Sequence, residues 1–448
     1  MSDSPSARRR AITALSAIGI VALAVSGCAP SSEPAPDPSD LAGQTIRMTV
    51  VQAGFRPAME PAIARFTEET GIKVELVGYG GDQIQEKTQL EVSSRSSNID
   101  VYALDGPPYM ATMHDALEPL QPYVDRDGVD LDVYIPSMLE MGRYPSDFTQ
   151  KEAGYKSGTG EVLGLPVRIG PHILHYRKDI FEQFGLEAPK TLDELREQAK
   201  TITEGTNGEV YGVALEGAQS LYIVLQWYDI LWSFGADVFD ETLTKATLDD
   251  PRAVEATEYF VNLYQDGYAP PSTPSADLDA AVALLQQGSA AMYPEYFPRH
   301  AVLNDPEASK TAGQWIAAPI PGNDGNPGVA VVTGWSLGVN KYSEHKDAAW
   351  ELIKFLTSPE VQLSMAVENG NAPTVASVYE DAKYQELVPA AAVALEAAQS
   401  SKARSGLPGI LEIEQTILAF ELNAALVGDK TPAQAMKDAQ QRITDVLK

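Results

Sequence analysis

The chain has 448 residues, 62 acidic side chains against 33 basic ones for a formal charge of −29, 44% hydrophobic content, five His and one Cys. At about 100–200 residues per folding unit, that length holds two to four units or one large two-lobed body. The acidic balance excludes a phosphate-backbone binder, which needs a basic face, and one Cys with five scattered His leaves neither an intramolecular disulfide nor a conventional zinc constellation.

The N-terminus reads as a processing signal. Arg8-Arg9-Arg10 precede an apolar stretch from Ala11 to Val25, shorter than the ~20 residues that span a bilayer as a helix and suited to the h-region of a secretory signal. Val25-Ser26-Gly27-Cys28 is similar to the bacterial lipobox. Residues 1–27 are therefore expected to be a signal peptide exported by the general or the twin-arginine route. Cys28 becomes the lipidated first residue, and the protein sits at the outer face of the cell membrane. Residues 28–40 carry four prolines and no apolar periodicity, the composition of an extended linker. Loss of residues 1–27 removes three Arg and one Asp and takes the charge to −31.

From Thr45 the pattern alternates. Ile46, Met48 and Val50 recur every second residue, as in a strand; Pro57 opens a helix with Met59, Ile63 and Phe66 on one face and Gly71 at its end. Ile72, Val74 and Leu76 mark a second strand, residues 83–93 a helix, and residues 99–104 a third strand that ends at Asp105-Gly106-Pro107-Pro108. This β-α-β-α-β order predicts an open parallel sheet whose ligands bind beyond the carboxyl ends of the strands. The loops at Gly54-Phe55-Arg56 and at residues 105–109 should line that cleft. After a turn-rich stretch, residues 162–169 restart a strand and enter a second lobe. The apolar run from Leu221 to Trp232 predicts a helix buried on most sides. Residues 348–356, 408–426 and 432–447 read as helices, the last one amphipathic.

Several segments carry a resemblance. Gly164-Leu165-Pro166, Leu174 to Phe181, Gly185-Leu186, and Ala188-Pro189-Lys190-Thr191-Leu192-Asp193-Glu194-Leu195 form one ordered run. Gln287-Gly288-Ser289-Ala290-Ala291-Met292, Gly334-Trp335-Ser336-Leu337-Gly338-Val339 and Ala348-Ala349-Trp350 through Pro359-Glu360 follow in order. Together they resemble the family 1 extracellular solute-binding proteins of bacterial ABC importers, the maltose-binding-protein-like group. One departure is Arg177, where the family has Asn, which is expected to alter a surface contact. The resemblance implies an α/β, type II periplasmic-binding-protein-like fold: two α/β lobes joined by hinge strands, with a ligand cleft between them. It places chain crossings near residues 166–170, 315–321 and 356–366. Lobe 1 is then residues 41–167 and 320–360, and lobe 2 is residues 168–319 and 361–448.

The same resemblance implies a non-enzymatic monomer without cofactor or metal that captures a sugar or polyol by hinge closure and delivers it to the membrane permease of an ABC importer. Sugar binding calls for flat aromatic faces together with carboxylates, amides and Arg in a water-poor cleft. Glu295 and Tyr296, which follow the Ala-Ala-Met motif, and Trp335 are the first candidates. Asp105 and Tyr109 lie just past a strand end, and Arg168 lies in the first crossing. Phe55, Gln83, Trp227, Trp232 and Asn371 complete the set.

Two alternatives stand beside this reading. The same scaffold takes a glycerophosphate-type or other polar solute if Arg56 and Arg168 reach the cleft. A lipid-anchored glycoside hydrolase would need a carboxylate pair such as Asp105 and Glu295 at about 5–5.5 Å or about 6.5–9.5 Å. His172 and His175 at i, i+3 read as core or surface residues. The Gly-x-Ser-x-Gly match at residues 334–338 has His345 as its only later His, nine residues past Ser336 and too near for a triad built on separate strands.

Overall fold

The computed structural model describes residues 38–52, 55–150, 155–323 and 328–448; the expected signal peptide and Cys28 lie outside them. Strand Thr45–Val51 pairs in parallel with Lys73–Tyr79 on one side and with Val101–Asp105 on the other. The intervening helix Arg56–Thr70 has Pro in its first turn, where the missing N–H is no loss, and buries Met59, Ile63 and Phe66. It stops at Gly71, whose φ of 73° suits a residue without Cβ.

One sheet runs through the whole body in the order Lys73–Tyr79, Thr45–Val51, Val101–Asp105, Val331–Val339, Leu165–Arg177, Ala290–Tyr296, Tyr211–Val213. The outer strands of the first half are parallel, as the β-α-β pattern requires, but Val331–Val339 is antiparallel to Val101–Asp105 and to Leu165–Arg177. Its mixed centre marks the hinge. Within Leu165–Arg177, Ile173 packs in one core and Leu174 in the other. Val332 and Val331 divide in the same way. These two strands therefore belong to both lobes, and each lobe buries its own helices against its own half of the sheet.

The cores correct the expected boundaries. Val167, Ile169 and Ile173 pack in the first lobe's core and Leu174 in the second's, so the first crossing lies at Ile173-Leu174 and not at 166–170. Ala318, Ile320 and Val331 pack into the second lobe's core, so the second crossing lies at Val331-Val332 and not at 315–321. The third lies between Ala403 and Leu407 and not at 356–366. Helices Pro359–Asn369 and Ala391–Ser400 bury Val361, Met365, Ala394 and Ala398 in the first lobe, the former against helix Arg56–Thr70. Residues 361–403 thus belong to lobe 1, and only the stretch from about residue 404 returns to lobe 2.

Helix Leu221–Ser233 is buried from Ile223 through Trp232, as its unbroken apolarity requires, and Ser220 caps it by accepting from the Tyr222 N–H. The Thr191-to-Leu195 piece of the family signature has a plain physical content. Thr191 and Glu194 form a reciprocal capping box that starts helix Leu192–Gly205. Arg177 corrects an expectation: it is a buried residue, 7% exposed, bound through Nε and Nη2 to Asp179 at 2.7 and 2.5 Å. Gly334 to Gly338 lie inside a paired strand, so the Gly-x-Ser-x-Gly match forms no strand-to-helix elbow.

Candidate functional site

Strand register assembles the first wall of the cleft. Asp105, Trp335 and Arg168 are direct cross-strand partners in three adjacent strands, so their Cα atoms form a row. A bulge sharpens this arrangement. Trp335 pairs with Arg168 while Ser336 pairs with Pro166, which leaves Val167 as the extra residue. The freed carbonyl of Val167 accepts from Gln362 Nε2 and Asn371 Nδ2, both at 3.0 Å. Gly334 lets the Met138 side chain close over it, since a Cβ there would stand 2.0 Å from Met138 Cε and push that methyl aside.

Aromatic rings gather on this row. Phe55 lies 5.5 Å from Trp335, and Tyr109 meets the same indole edge-on at 6.2 Å. The Arg168 guanidinium lies 5.7 Å from the Phe55 centroid, within range of a cation–π contact. Burial, and then the charge of nearby Arg299, bring the Arg168 pKa down to about 10. Phe55 precedes helix Arg56–Thr70, and Tyr109 sits in the first turns of helix Gly106–Met113. Both start where a strand of the sheet has just ended.

The second wall is polar and buried. Tyr296 packs edge-on against His172 at 4.5 Å, and a Cβ on Gly170 would come within 3.2 Å of the Tyr296 ring. His172 Nδ1 bonds Asp229 Oδ2 at 2.6 Å, and Asp229 Oδ1 accepts the Val331 N–H at 2.7 Å. His172 Nε2 lies 3.9 Å from Glu295 Oε1. The Tyr293 hydroxyl donates to Glu216. Within this set, both carboxylate oxygens of Glu295, Oε2 of Glu216, Nε2 of His172 and Nε of Arg299 are buried without a hydrogen-bond partner. Burial pushes the Glu295 carboxyl up, against the pull of His172 and Arg299. Burial and then the Glu295 charge push Glu216 well up. Burial works to lower His172, but the Asp229 and Glu295 charges outweigh it and raise the imidazole.

An arginine that sequence patterning did not single out connects the walls. Arg404 is 4% exposed and grips Glu414 through Nε and Nη2, the shortest contact being 2.7 Å. Its Nη1 faces Asp105 Oδ2 on the first wall at 3.8 Å. Tyr228 completes the Glu414 site by donating to Oε1 at 3.2 Å. Burial raises the Asp105 carboxyl and Arg404 opposes that rise.

Of the residues singled out from sequence, Phe55, Asp105, Tyr109, Arg168, Glu295, Tyr296 and Trp335 come together. Four do not. Trp227 is fully buried in the second core and donates to Thr257 at 3.0 Å. Trp232 stacks on Tyr228 at 4.8 Å, with Lys402 over its ring. Asn371 braces the bulge. Gln83 is exposed on helix Gly81–Ser93. Arg56, the alternative anion contact, is tied to Glu60 and Gln52. Added by the structure are Arg404, Glu414, Arg299, Glu216, His172 and Tyr222, whose phenol is raised by burial and by Glu295. No group of three or more His, Cys, Asp or Glu among the described residues is arranged to hold a metal ion. The ensemble offers ring faces on one side and unsatisfied acceptors and donors on the other, a pairing suited to hydroxyls, which both give and accept hydrogen bonds.

Known proteins match this architecture. The profile of the bacterial extracellular solute-binding protein family covers residues 51–363. A probable amino-acid ABC transporter periplasmic-binding protein of Sinorhizobium fredii is 26% identical over an alignment of 425 residues that covers 92% of this chain and 91% of that protein. Among solved structures, maltose-bound MalE3 of T. maritima superposes with a TM-score of 0.78 at 28% identity, covering 90% of this chain and 99% of the other. A solute-binding protein of Agrobacterium vitis with bound D-mannitol gives 0.71 at 26% identity, covering 90% and 97%.

Proposed function

The chain belongs to the bacterial extracellular solute-binding protein family, and on that premise we propose that the row Asp105-Trp335-Arg168, with Phe55 and Tyr109 around it, is the platform on which a sugar or polyol is captured. The protein binds its solute outside the cytoplasm and delivers it to an ABC importer, without chemical conversion. The observation that carries the choice of solute is the pairing of three clustered rings with buried, unpartnered polar groups opposite them. A hydrocarbon would leave those groups unsatisfied, which costs about 1–3 kcal/mol each. A polyhydroxylated solute satisfies them, and its C–H faces lie on the rings.

Closure follows from where the cores divide. The second wall sits on the lobe-2 side of the hinge strands, so a solute resting on the rings gains contacts from Tyr296, Glu295 and Arg404 only when the lobes approach. It shifts the equilibrium by that difference in affinity. Cys28 supplies the lipid anchor, residues 28–40 the tether, and the protein acts as a monomer beside its permease. Replacing Cys28 by Ser should move the protein from the membrane fraction to the medium.

A thermal-shift screen over monosaccharides, maltose, mannitol, ribitol, erythritol, glycerol 3-phosphate and amino acids, followed by calorimetry on the hits, tests the solute class. Stabilisation by at least one sugar or polyol is expected. A response to glycerol 3-phosphate or an amino acid alone would overturn the assignment in favour of a charged solute.

A further inference from the structure

The two hinge strands part where the chain changes cores. Leu165–Arg177 and Val331–Val339 pair as far as Val332 opposite Pro171, and the same register carried one residue further would set Val331 against His172. That rung is not made: His172 pairs with Tyr296 and Val331 with Lys402. Ile173 and Val332 pack in the first lobe, Leu174 and Val331 in the second.

One carboxylate spans the parted strands. Asp229, 2% exposed on helix Leu221–Ser233 of the second lobe, accepts the Val331 N–H on Oδ1 at 2.7 Å and bonds His172 Nδ1 through Oδ2 at 2.6 Å. One turn along the same helix, the Ser233 hydroxyl accepts the Val329 N–H at 3.3 Å. The other edge of the buried His172 ring faces the second wall of the cleft. Its Nε2 lies 3.9 Å from Glu295 Oε1, and the ring meets Tyr296 edge-on at 4.5 Å. A continuous chain of contacts therefore runs from Glu295 and Tyr296 through His172 and Asp229 to the backbone of the other hinge strand.

We propose that Asp229 is a positioning residue for lobe closure: its one carboxylate fixes both hinge strands where they part, and through His172 it ties the hinge to the position of Glu295 and Tyr296. The inference rests on the hinge of the proposed function and not on the solute being a sugar. Hinge bending concentrates its torsional change in a few residues, and this brace confines the change to residues outside the clamp. A solute that displaces Glu295 or Tyr296 moves the His172 ring, and the same carboxylate carries that movement to Val331.

The test needs no solute. With Cys28→Ser the chain has no thiol, so dyes on Leu90→Cys in the first lobe and Val427→Cys in the second, at side chains 66% and 44% exposed, report the distance between lobes by single-molecule energy transfer. Asp229→Ala should widen the distribution of that distance about 1.5-fold. Hydrogen exchange at the Val331 amide should quicken about tenfold, as loss of its hydrogen bond implies. Asp229→Asn, whose amide can accept from Val331 and donate to His172, should restore the parent width even at a lower melting temperature. If Asp229→Ala does not fold, His172→Leu reads the same contrast, with a wider distribution and Val331 exchange within about threefold of the parent. A parent width in whichever of these two variants folds, or a width that Asp229→Asn does not restore, overturns the brace and leaves the solute reading standing. A sugar and polyol screen without a hit counts against the solute reading and leaves the brace untouched.

Discussion

On the first lobe the cleft wall is made of rings: Phe55, Tyr109 and Trp335 converge within 5.5 to 6.2 Å, fixed by strand register and by helices that start at strand ends. On the second lobe the wall is made of ionisable groups: Glu216, Glu295, His172, Asp229, Arg404 and Glu414, all buried. The first wall hides area from water and asks little of its partner. The second has been desolvated in advance and holds donors and acceptors that only a matching partner satisfies. Affinity should therefore come chiefly from the first wall and discrimination from the second. Substitutions on the two walls should fail in different ways.

The largest effect is expected on the second wall and on stability. Arg404→Leu strands Glu414, which is 0% exposed and keeps only the Tyr228 hydroxyl. Breaking a buried pair from one side costs about 3–5 kcal/mol. Urea unfolding should show a loss of that order, and the double change Arg404→Leu with Glu414→Leu should recover much of it. A single variant as stable as the parent would mean that the second wall is not a structural charge network, and the contrast between walls would lose half its basis.

The next effect is on binding. Trp335→Ala removes the ring that both Phe55 and Tyr109 contact. Because Trp335 is only partly buried, calorimetry should record a loss of about 30-fold in affinity, equivalent to ~2 kcal/mol, while the melting temperature changes little. An equal loss of stability would place the indole with the core and not with the solute.

Sequence periodicity made the first wall readable and left most of the second hidden. Strand alternation at Ile46, Met48 and Val50, and the β-α-β order, located the strand ends and hence Phe55, Asp105 and Tyr109. Helices Pro359–Asn369 and Ala391–Ser400 show the same amphipathic pattern whichever half of the sheet they cover, so pattern gave no means to correct the crossing that the family resemblance placed at residues 356–366. Arg404 follows a strand of two residues, Lys402–Ala403, too short for any period. Trp227 and Trp232 stand in one apolar run with Tyr222, and helical phase alone does not distinguish the member facing the cleft from those facing Thr257 or Tyr228.

The second wall should also respond to pH. Glu216 and Glu295 hold protons in the folded state at pH values where an unfolded glutamate, with a pKa of about 4.3, has lost them. The folded protein then binds more protons than the unfolded chain, so their contribution is fully present below that value and is lost as pH rises through the raised folded pKa. His172, also raised, acts with the same sign from its higher starting point. Glu295→Gln should therefore flatten the fall in melting temperature that the parent is expected to show as pH rises above the unfolded glutamate value of about 4.3. An unchanged slope would show that Glu295 is ionised in the fold and already partnered.

The smallest effect joins the walls through the bulge. Asn371 Nδ2 donates to the Val167 carbonyl, and Gln362 serves the same oxygen at the same 3.0 Å distance. Asn371→Ala leaves that carbonyl with one donor, so the cost should stay near 1 kcal/mol, the net worth of an ordinary hydrogen bond. The bulge sets the register of Arg168 beside Trp335, and loosening it should lower affinity two- to threefold in calorimetry. The double change Asn371→Ala with Gln362→Ala removes both donors and should exceed the sum of the single losses, because only then is a buried carbonyl left unpaired. Strict additivity would mean that the bulge is held by its flanking strand pairs, and that the alignment of the first wall owes nothing to the two amides.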